Sequence, residues 1–215
     1  MLYWFIRTFG WYLFAFLGLK VIGRENIPPD GRVMIIANHN SNWDPLLIAF
    51  SFKRPICYMA KNSLFKYSLS DRFFRALHAF PVDRSSADRQ AIRRAIEVLE
   101  QGKVLGIFPE GERTEVGTPV KAKKGAALIA VKARSPIVPV ACVGTKRALP
   151  IGWFRDVKIV VGPPIYTEEI KKGKLGASVI DDLSNLLGEK IQTLLDQQAG
   201  IEKTFNHRFK SPVNF

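Results

Sequence analysis

His39 and Asp44 stand five positions apart, directly after the apolar run from Val33 to Ala37. Four residues suffice for a turn between a strand and a helix, which would bring the carboxylate to one imidazole nitrogen. The other nitrogen would then be free to take a proton, as in the base of a catalytic dyad or triad. Asp44-Pro45 is also typical of a helix start, with Asp as the N-cap and Pro in the first position. The N-cap interpretation explains Asp44 but not His39. It is compatible with the catalytic interpretation, because one carboxylate oxygen can cap the helix while the other contacts the imidazole.

The sequence offers no obvious protein nucleophile beside this histidine. It contains no G-x-S-x-G turn, and neither of its two cysteines lies near His39 along the chain. We therefore expect His39 to take its proton from a hydroxyl group of the substrate. A serine distant in sequence but close in the fold is the alternative.

Two more polar clusters follow apolar segments: Val82-Asp83-Arg84 and Pro109-Glu110-Gly111-Glu112-Arg113-Thr114. The guanidinium groups of Arg84 and Arg113, and the close backbone approach that Gly111 permits, suit a phosphate group. The basic run Lys121-Ala122-Lys123-Lys124 is expected to join the two arginines at this phosphate site. The alternative is a solvated turn with local ion pairs. A nucleoside-triphosphate loop is not expected, because no G-x4-G-K-[ST] occurs.

Metal and disulfide chemistry are not expected either. The three histidines are His39, His78 and His207, and their positions give no metal-ligand spacing. The two cysteines, Cys57 and Cys142, are too few for a disulfide scaffold and suit a reducing compartment. We therefore predict no metal site.

The elements that must position these residues alternate between strand and helix patterns. Five apolar runs predict buried strands: Val33–Ala37, Ile56–Ala60, Val104–Phe108, Ile137–Val143 and Val157–Val161. Three amphipathic stretches predict helices: Ala87–Gln101 capped by Ser85 or Ser86, Lys124–Ala133, and Ser178 to about Gln198. This alternation predicts an α/β fold with a mostly parallel central sheet flanked by helices. The polar clusters follow strands, and the carboxyl ends of strands in such sheets carry catalytic groups.

The overall charge and the first 19 residues point to a membrane surface. Lys and Arg number 32 against 19 Asp and Glu, for a net charge of +13, so an anionic partner is expected. Residues 1–19 carry eight aromatic side chains and a single charged one, Arg7. Tyr and Trp prefer the membrane–water boundary, which favours a hydrophobic membrane-interface helix there and an α/β domain over 20–215. A helix packed in the core and a true membrane span remain alternatives.

A second segment has a mixed apolar and basic character. Lys61, Lys66, Arg72 and Arg75 alternate with five large apolar residues: Leu64, Phe65, Tyr67, Phe73 and Phe74. This pattern fits an amphipathic membrane-facing segment and equally a helix with one solvated face.

Taken together, the clusters resemble four motifs of the glycerophospholipid acyltransferase family, in particular the bacterial 1-acyl-sn-glycerol-3-phosphate acyltransferases. Residues 38–45 look like its N-H-x-S-x-x-D motif, and the stretch from Lys61 to Arg84 looks like the second, which ends in V-x-R. Residues 108–113 look like F-P-E-G-x-R, and Val138-Pro139-Val140 looks like the fourth motif. The match covers roughly residues 20–165 in the expected order.

The resemblance implies a reaction and a role for each residue. His39, oriented by Asp44, would be the general base on the sn-2 hydroxyl of 1-acyl-glycerol-3-phosphate, and phosphatidic acid would be the product. A phosphate pocket would comprise Arg84, Glu110, Gly111 and Arg113, and Val138 and Pro139 would line the acyl site. In one departure, Glu112 stands where the family often has Thr. If its carboxylate points inward, the acceptor is not a simple phosphate monoester.

The resemblance also implies the partners and the location. The acyl donor would be a thioester on acyl carrier protein or coenzyme A, used as a co-substrate, with no other cofactor. The protein would work at the cytoplasmic face of the cell membrane, on an anionic surface, as a monotopic or peripheral protein. An acyltransferase of the same family acting on another lysolipid is one alternative. A non-catalytic basic protein that binds membranes or nucleic acid is another, although the basic residues are dispersed and carry no nucleic-acid-binding signature.

Overall fold

The computed structural model describes residues 2–83, 88–147, 157–166 and 177–209. In this part of the chain one seven-stranded sheet has the order β1-β7-β6-β2-β5-β3-β4. The strands are β1 (Lys20–Ile22), β2 (Val33–Ala37), β3 (Ile56–Lys61), β4 (Ala79–Val82), β5 (Val104–Ile107), β6 (Ile137–Val143) and β7 (Lys158–Val161). Every neighbouring pair is parallel except β6 and β7. The predicted mostly parallel α/β fold is therefore confirmed.

Six α-helices accompany the sheet within the described residues. They are α1 (Leu2–Phe16), α2 (Asp44–Ser51), α3 (Ser68–Ala76), α4 (Arg89–Glu100), α5 (Lys124–Ala133) and α6 (Ala177–Phe209). The prediction for α5 is met at both ends. The predicted cap of α4 is wrong, because the helix begins at Arg89 and the side chain of Asp88 accepts a hydrogen bond from the Ala91 amide. Asp88 also accepts from the Asp83 amide, so it ties the helix start to the end of β4.

The two faces of the sheet carry different helices and two separate apolar clusters. One face, the α1–α2 face, packs Val33, Ile35 and Val138 of the strands against α1 and α2. The opposite α4–α6 face packs Met34, Ile36 and Leu105 against α4, α5 and α6. Successive strand residues point to opposite faces, which explains this division. His39 continues the odd-numbered series of β2 and lies on the α1–α2 side, against Phe108 of the first cluster.

Helix α1 is divided lengthwise between core and surface. Tyr3 and Phe14 are buried, whereas Phe5, Tyr12 and Phe16 are at least 70% exposed. Gly10 permits the close approach to α2, because a Cβ there would lie 2.4 Å from Phe50 Cζ. The core interpretation is thus confirmed for one side of this helix, while contact of the exposed side with a membrane stays a prediction. Among the helices of the described residues, none has the length and apolar character needed to cross a membrane.

Candidate active site

The His39 and Asp44 side chains form a buried pair at the carboxyl end of β2. His39 Nδ1 lies 3.0 Å from Asp44 Oδ2. Asp44 is fully buried, and about a tenth of the His39 side chain is exposed. In a neutral imidazole, a hydrogen on Nδ1 would face the Asp44 carboxylate and leave the lone pair on Nε2. This geometry suits a base oriented by an aspartate, and the catalytic role of His39 stays a prediction.

Asp44 orients the histidine and does not cap α2. The residue at the N-cap of α2 is Trp43, and Asp44 is already the first helical residue. Its Oδ2 accepts hydrogen bonds from the Asn40 amide at 2.8 Å and the Ser41 amide at 2.7 Å. These donors precede the helix, so they fix the turn between His39 and Asp44. The predicted N-cap role is wrong, while the prediction of a turn that joins the two side chains is confirmed.

The His39 ring is the end of a stack of three rings that continues through Phe108 to Tyr58. The His39 and Phe108 rings stack with centroids 4.1 Å apart and planes 23° apart. Phe108 in turn stacks on Tyr58 at 6.1 Å. Gly106 makes room for that tyrosine, because a Cβ at this position would lie 2.3 Å from its ring. Burial raises the pKa of Tyr58 well above its ordinary value, so its phenol stays neutral. Sequence reasoning did not single out this ring stack.

Glu110 braces the backbone of the catalytic turn. Its Oε1 accepts a hydrogen bond from the His39 amide at 2.9 Å, and its Oε2 accepts from the Thr114 hydroxyl. The Thr114 amide in turn donates to the His39 carbonyl at 2.9 Å. Glu110 is buried. Both of its oxygens therefore serve to position His39, and its assignment to substrate binding stays a prediction from the resemblance.

We expect Glu110→Gln to weaken both the fold and the catalytic turn. The amide oxygen can still accept from the His39 amide and the NH2 group can donate to the Thr114 hydroxyl, so both contacts survive but lose the strength that a charged acceptor gives them. The cost should be about 1–2 kcal/mol in the free energy of unfolding, together with a lower kcat. The exposed Glu115→Gln is the matched control, and urea unfolding is the measurement. Equal unfolding midpoints for both variants would contradict the bracing role.

Asn38 supplies a second brace, between the ends of β2 and β6. Its side chain donates to the Cys142 carbonyl at 3.0 Å and accepts from the Cys142 amide at 2.8 Å. The Asn40 side chain donates to the Thr114 carbonyl, which ties the same turn to the loop after β5. Both asparagines lie inside the predicted first motif, so their position was visible in the sequence. Their partners, far along the chain, were not.

Lys123, which belongs to the predicted basic run together with Lys124, is the basic side chain beside Gly111. Gly111 has φ +79°, and a Cβ there would lie 2.7 Å from Lys123 Nζ. Lys124, the predicted contact, forms an ion pair with Asp181 of α6 at 2.5 Å. The predicted role of Lys124 at phosphate stays a prediction, while the geometry places its neighbour closer to the loop after β5.

Gly111→Ala should separate backbone strain from the effect on Lys123. Left-handed backbone costs a non-glycine residue about 1–3 kcal/mol, and the new methyl group would also push the ammonium group aside. Gly117→Ala is the matched control, since its φ is +92° and nothing lies within 4 Å. We expect both variants to lose stability in thermal unfolding, but only Gly111→Ala to raise KM for a phosphate-bearing acceptor. An equal KM in the two variants would remove Lys123 from acceptor binding.

The structure describes some of the remaining predicted residues and not others. Arg84 lies outside the described residues. Arg113 is exposed, as is the Glu112 side chain, in the loop that contains Glu110. Convergence of the two arginines on a shared phosphate pocket therefore stays a prediction. Within the described ranges, no group of three or more His, Cys, Asp or Glu side chains is placed to hold a metal ion.

Val138 and Pro139 are both buried in the central strand β6. Val138 belongs to the apolar cluster on the α1–α2 face, the side on which His39 lies. Pro139 faces the other way, where its ring and Leu194 of α6 both approach Gly162. Their predicted role in lining the acyl site stays a prediction, and only Val138 lies on the side of the sheet that carries the dyad.

The sequence of this chain matches known acyltransferases. A family model described as Acyltransferase matches residues 18–143. The 1-acyl-sn-glycerol-3-phosphate acyltransferase of Bacillus subtilis is 31% identical over 188 residues, which are 84% of this chain and 91% of the relative. The enzyme of the same name from Streptococcus pneumoniae is 32% identical over 173 residues, or 79% and 63% of the two chains.

A solved structure shares the fold. The crystal structure of the 1-acyl-sn-glycerophosphate (LPA) acyltransferase PlsC from Thermotoga maritima matches with a TM-score of 0.68 and 28% identity, over 89% of this chain and 78% of that one. The family match includes the dyad, the Glu110 brace and strands β1 to β6. This chain is thus an enzyme of the acyltransferase family, to which the bacterial 1-acyl-sn-glycerol-3-phosphate acyltransferases belong.

Proposed function

We propose that this chain transfers a fatty acyl group from an acyl thioester to the sn-2 hydroxyl of 1-acyl-glycerol-3-phosphate, with phosphatidic acid as the product. The observation that carries the proposal is the His39–Asp44 pair, with Nδ1 held by the carboxylate and Nε2 left to take a proton. The names of the relatives supply the acceptor. The donor is acyl carrier protein or coenzyme A carrying the chain.

The proposed step needs one base and no covalent enzyme intermediate. His39 Nε2 removes the proton of the acceptor hydroxyl as its oxygen bonds to the thioester carbonyl carbon. The carbon–sulfur bond then breaks, and His39 returns the proton to the thiolate, so that the products are the ester and a free thiol. Asp44 stabilises the imidazolium that forms between the two transfers, because its carboxylate lies 3.0 Å from Nδ1. The partly buried Phe108 ring, which stacks on the imidazole, keeps it in place during both transfers.

The acceptor phosphate is assigned to the loop after β5. Arg113 and Lys123 supply positive charge there, and the missing Cβ of Gly111 lets the Lys123 ammonium group lie close to the backbone. We assign Arg84 to the same pocket from the resemblance. Glu112 is exposed, which leaves room for a phosphate monoester on the inner side of the loop.

We place the enzyme at the cytoplasmic face of the cell membrane as a monotopic or peripheral protein. The acceptor is a lipid and both candidate donors dissolve in water, so a site at the boundary reaches both. The exposed aromatic side of α1 and the net charge of +13 support attachment to an anionic surface. In this proposal neither a metal nor another cofactor takes part, and nucleic acid is not a partner.

Transfer of a radiolabelled acyl chain by the purified protein tests the proposal. The acceptors are 1-acyl-glycerol-3-phosphate and the matching lysophosphatidylethanolamine, lysophosphatidylcholine and lysophosphatidylglycerol, each offered with acyl carrier protein and coenzyme A donors. We expect the phosphate monoester to give the highest kcat/KM, and EDTA to leave the rate unchanged. A preference for another lysolipid would select the alternative acceptor. Binding to vesicles without any transfer would select the non-catalytic alternative.

A further inference from the structure

A second exposed apolar surface lies on and before α3, and we propose that it is a second membrane-contact site, selective for anionic lipid. We define the α3 patch as the apolar residues Leu64, Tyr67, Leu69 and Phe73 together with the basic residues Lys61, Lys66, Arg72 and Arg75. The proposal rests on the proposed function, in which the acceptor is a membrane lipid. It adds a separate site to the one assigned to α1.

The apolar part of the α3 patch faces outward although the helix has an inner side to bury. Leu69 is 81% exposed, Tyr67 69% and Phe73 45%. Leu69 and Phe73 are four residues apart, so they share one side of α3. On its other side Phe74 packs against Phe65, and both contact the apolar cluster of the α1–α2 face. The helix is thus anchored to the domain without using its outer apolar side.

Basic side chains accompany this outer side. Arg72 is exposed and follows Leu69 by three residues, so it lies on the same side of the helix. Lys66 lies over the Tyr67 ring with Nζ 5.6 Å from its centroid. Arg75 forms an ion pair with Asp71, the one acidic residue between Lys61 and Ala76. Apolar side chains that enter the acyl boundary, with cations at headgroup level, are the composition that anionic bilayers bind.

The α3 patch lies on the side of the sheet that carries the dyad and α1. Phe65 and Phe74 pack into the same cluster as Phe108, which stacks on His39. At the far end of α3, His78 packs on Tyr3 of α1 with ring centroids 4.8 Å apart. A bilayer that binds α1 and the α3 patch together would cover the side from which a lipid reaches His39. This continuity with α1 favours lipid over an acidic carrier protein or a second copy of the chain as the occupant.

Vesicle sedimentation of the full chain tests the proposal with four single variants. The vesicles are phosphatidylcholine with and without phosphatidylglycerol. Leu69→Ser should lower partitioning to both kinds by about tenfold, because it removes apolar area. Arg72→Glu should lower it by about tenfold only when phosphatidylglycerol is present. The matched control is Arg93→Glu, an equal charge change on an exposed arginine of α4 across the sheet, which should stay within twofold of wild type.

The contrary results are distinct. Wild-type binding by both Leu69→Ser and Arg72→Glu would overturn the proposal, and so would an equal loss in Arg93→Glu, which would indicate a general charge effect. Unchanged vesicle binding with slower turnover on acyl carrier protein alone would assign the patch to the carrier protein instead. Leu69→Trp should retain wild-type binding, which separates a lost contact from a folding defect. A wild-type protein that transfers no acyl group leaves this binding measurement intact, so the two proposals fail separately.

Discussion

His39→Ala should lower kcat by at least about 10²-fold, the usual contribution of a positioned general base. The variant loses the Nε2 lone pair, while the turn keeps its hydrogen bonds from the Asn40 and Ser41 amides to Asp44 and from the His39 amide to Glu110. The fold should therefore survive the substitution. Turnover on 1-acyl-glycerol-3-phosphate, with circular dichroism as the check on folding, is the measurement. A folded variant within a few-fold of wild type would remove His39 from the reaction.

The double variant His39→Ala, Asp44→Asn tests whether the two residues act as one unit or contribute independently to the rate. Asp44 acts through His39 in the proposed step, so Asp44→Asn should be slow by itself and should add little to His39→Ala. Residues that act as one unit show this loss of additivity. Asn at position 44 keeps an oxygen for the two backbone amides, which limits damage to the turn. If the two losses multiply in the double variant, Asp44 has a role separate from orienting the imidazole.

The dyad was predictable because its spacing permits the contact and the other three motifs of the resemblance support it. Four residues between a strand end and a helix start also fit an N-cap at Asp44, and the observed path joins His39 to Asp44 instead. The role of Glu110 was not predictable in the same way. Its two partners, His39 and Thr114, lie 71 and four positions away, and sequence gives no register between β2 and the loop after β5. The resemblance placed Glu110 at the substrate, whereas the structure places both oxygens on protein donors.

Sequence also did not indicate which of the adjacent residues Lys123 and Lys124 lies beside Gly111. Both stand at the start of α5, and the basic run predicts charge near the phosphate loop. Lys123 is the N-cap residue, and its amide donates to the Pro109 carbonyl at 2.9 Å in the loop after β5. Lys124 is the first helical residue and forms its ion pair with Asp181 of α6. These partners are far along the chain, so the basic run alone does not indicate which lysine lies beside Gly111.

The strands of the sheet interior were predictable from their apolar runs, and the edge strand β1 was not. Its three residues, Lys20–Ile22, show neither alternation nor a continuous apolar signal. The other edge strand, β4 (Ala79–Val82), was indicated only by the short apolar segment before Asp83. Proline at position 81 also argues against a strand, yet an edge tolerates its missing N–H. These two segments pair because the neighbouring strands β7 and β3 offer free edges.

Membrane attachment through α1 gives the second large expected effect, and the structure changes how it must be tested. Deletion of residues 1–19 would remove Tyr3, Phe14, Leu17 and Leu19, which are all buried. Unfolding of such a truncated protein would therefore say nothing about lipid. Substitution of the exposed side alone separates the two roles of the helix.

The variant Phe5→Ser, Phe9→Ser, Tyr12→Ser should detach the enzyme from membranes and leave it folded. The three rings are 60–70% exposed, and burying one in lipid is worth about 1.5–3 kcal/mol, so partitioning should fall by at least about 10²-fold. High salt should not release wild type, because screening weakens the attraction of Lys and Arg for headgroups but leaves apolar burial intact. It should release a larger fraction of the variant, whose remaining apolar contacts are Trp4, Phe16 and the α3 patch. Activity on a short, soluble lysolipid should persist, while activity on membrane-embedded acceptor should largely disappear.

Phe14→Ser is the control, since this buried ring packs on Phe50 and Trp43 and its loss should lower the unfolding temperature instead. Partitioning and salt resistance equal to those of wild type in the triple variant would show that the outer side of α1 does not meet lipid.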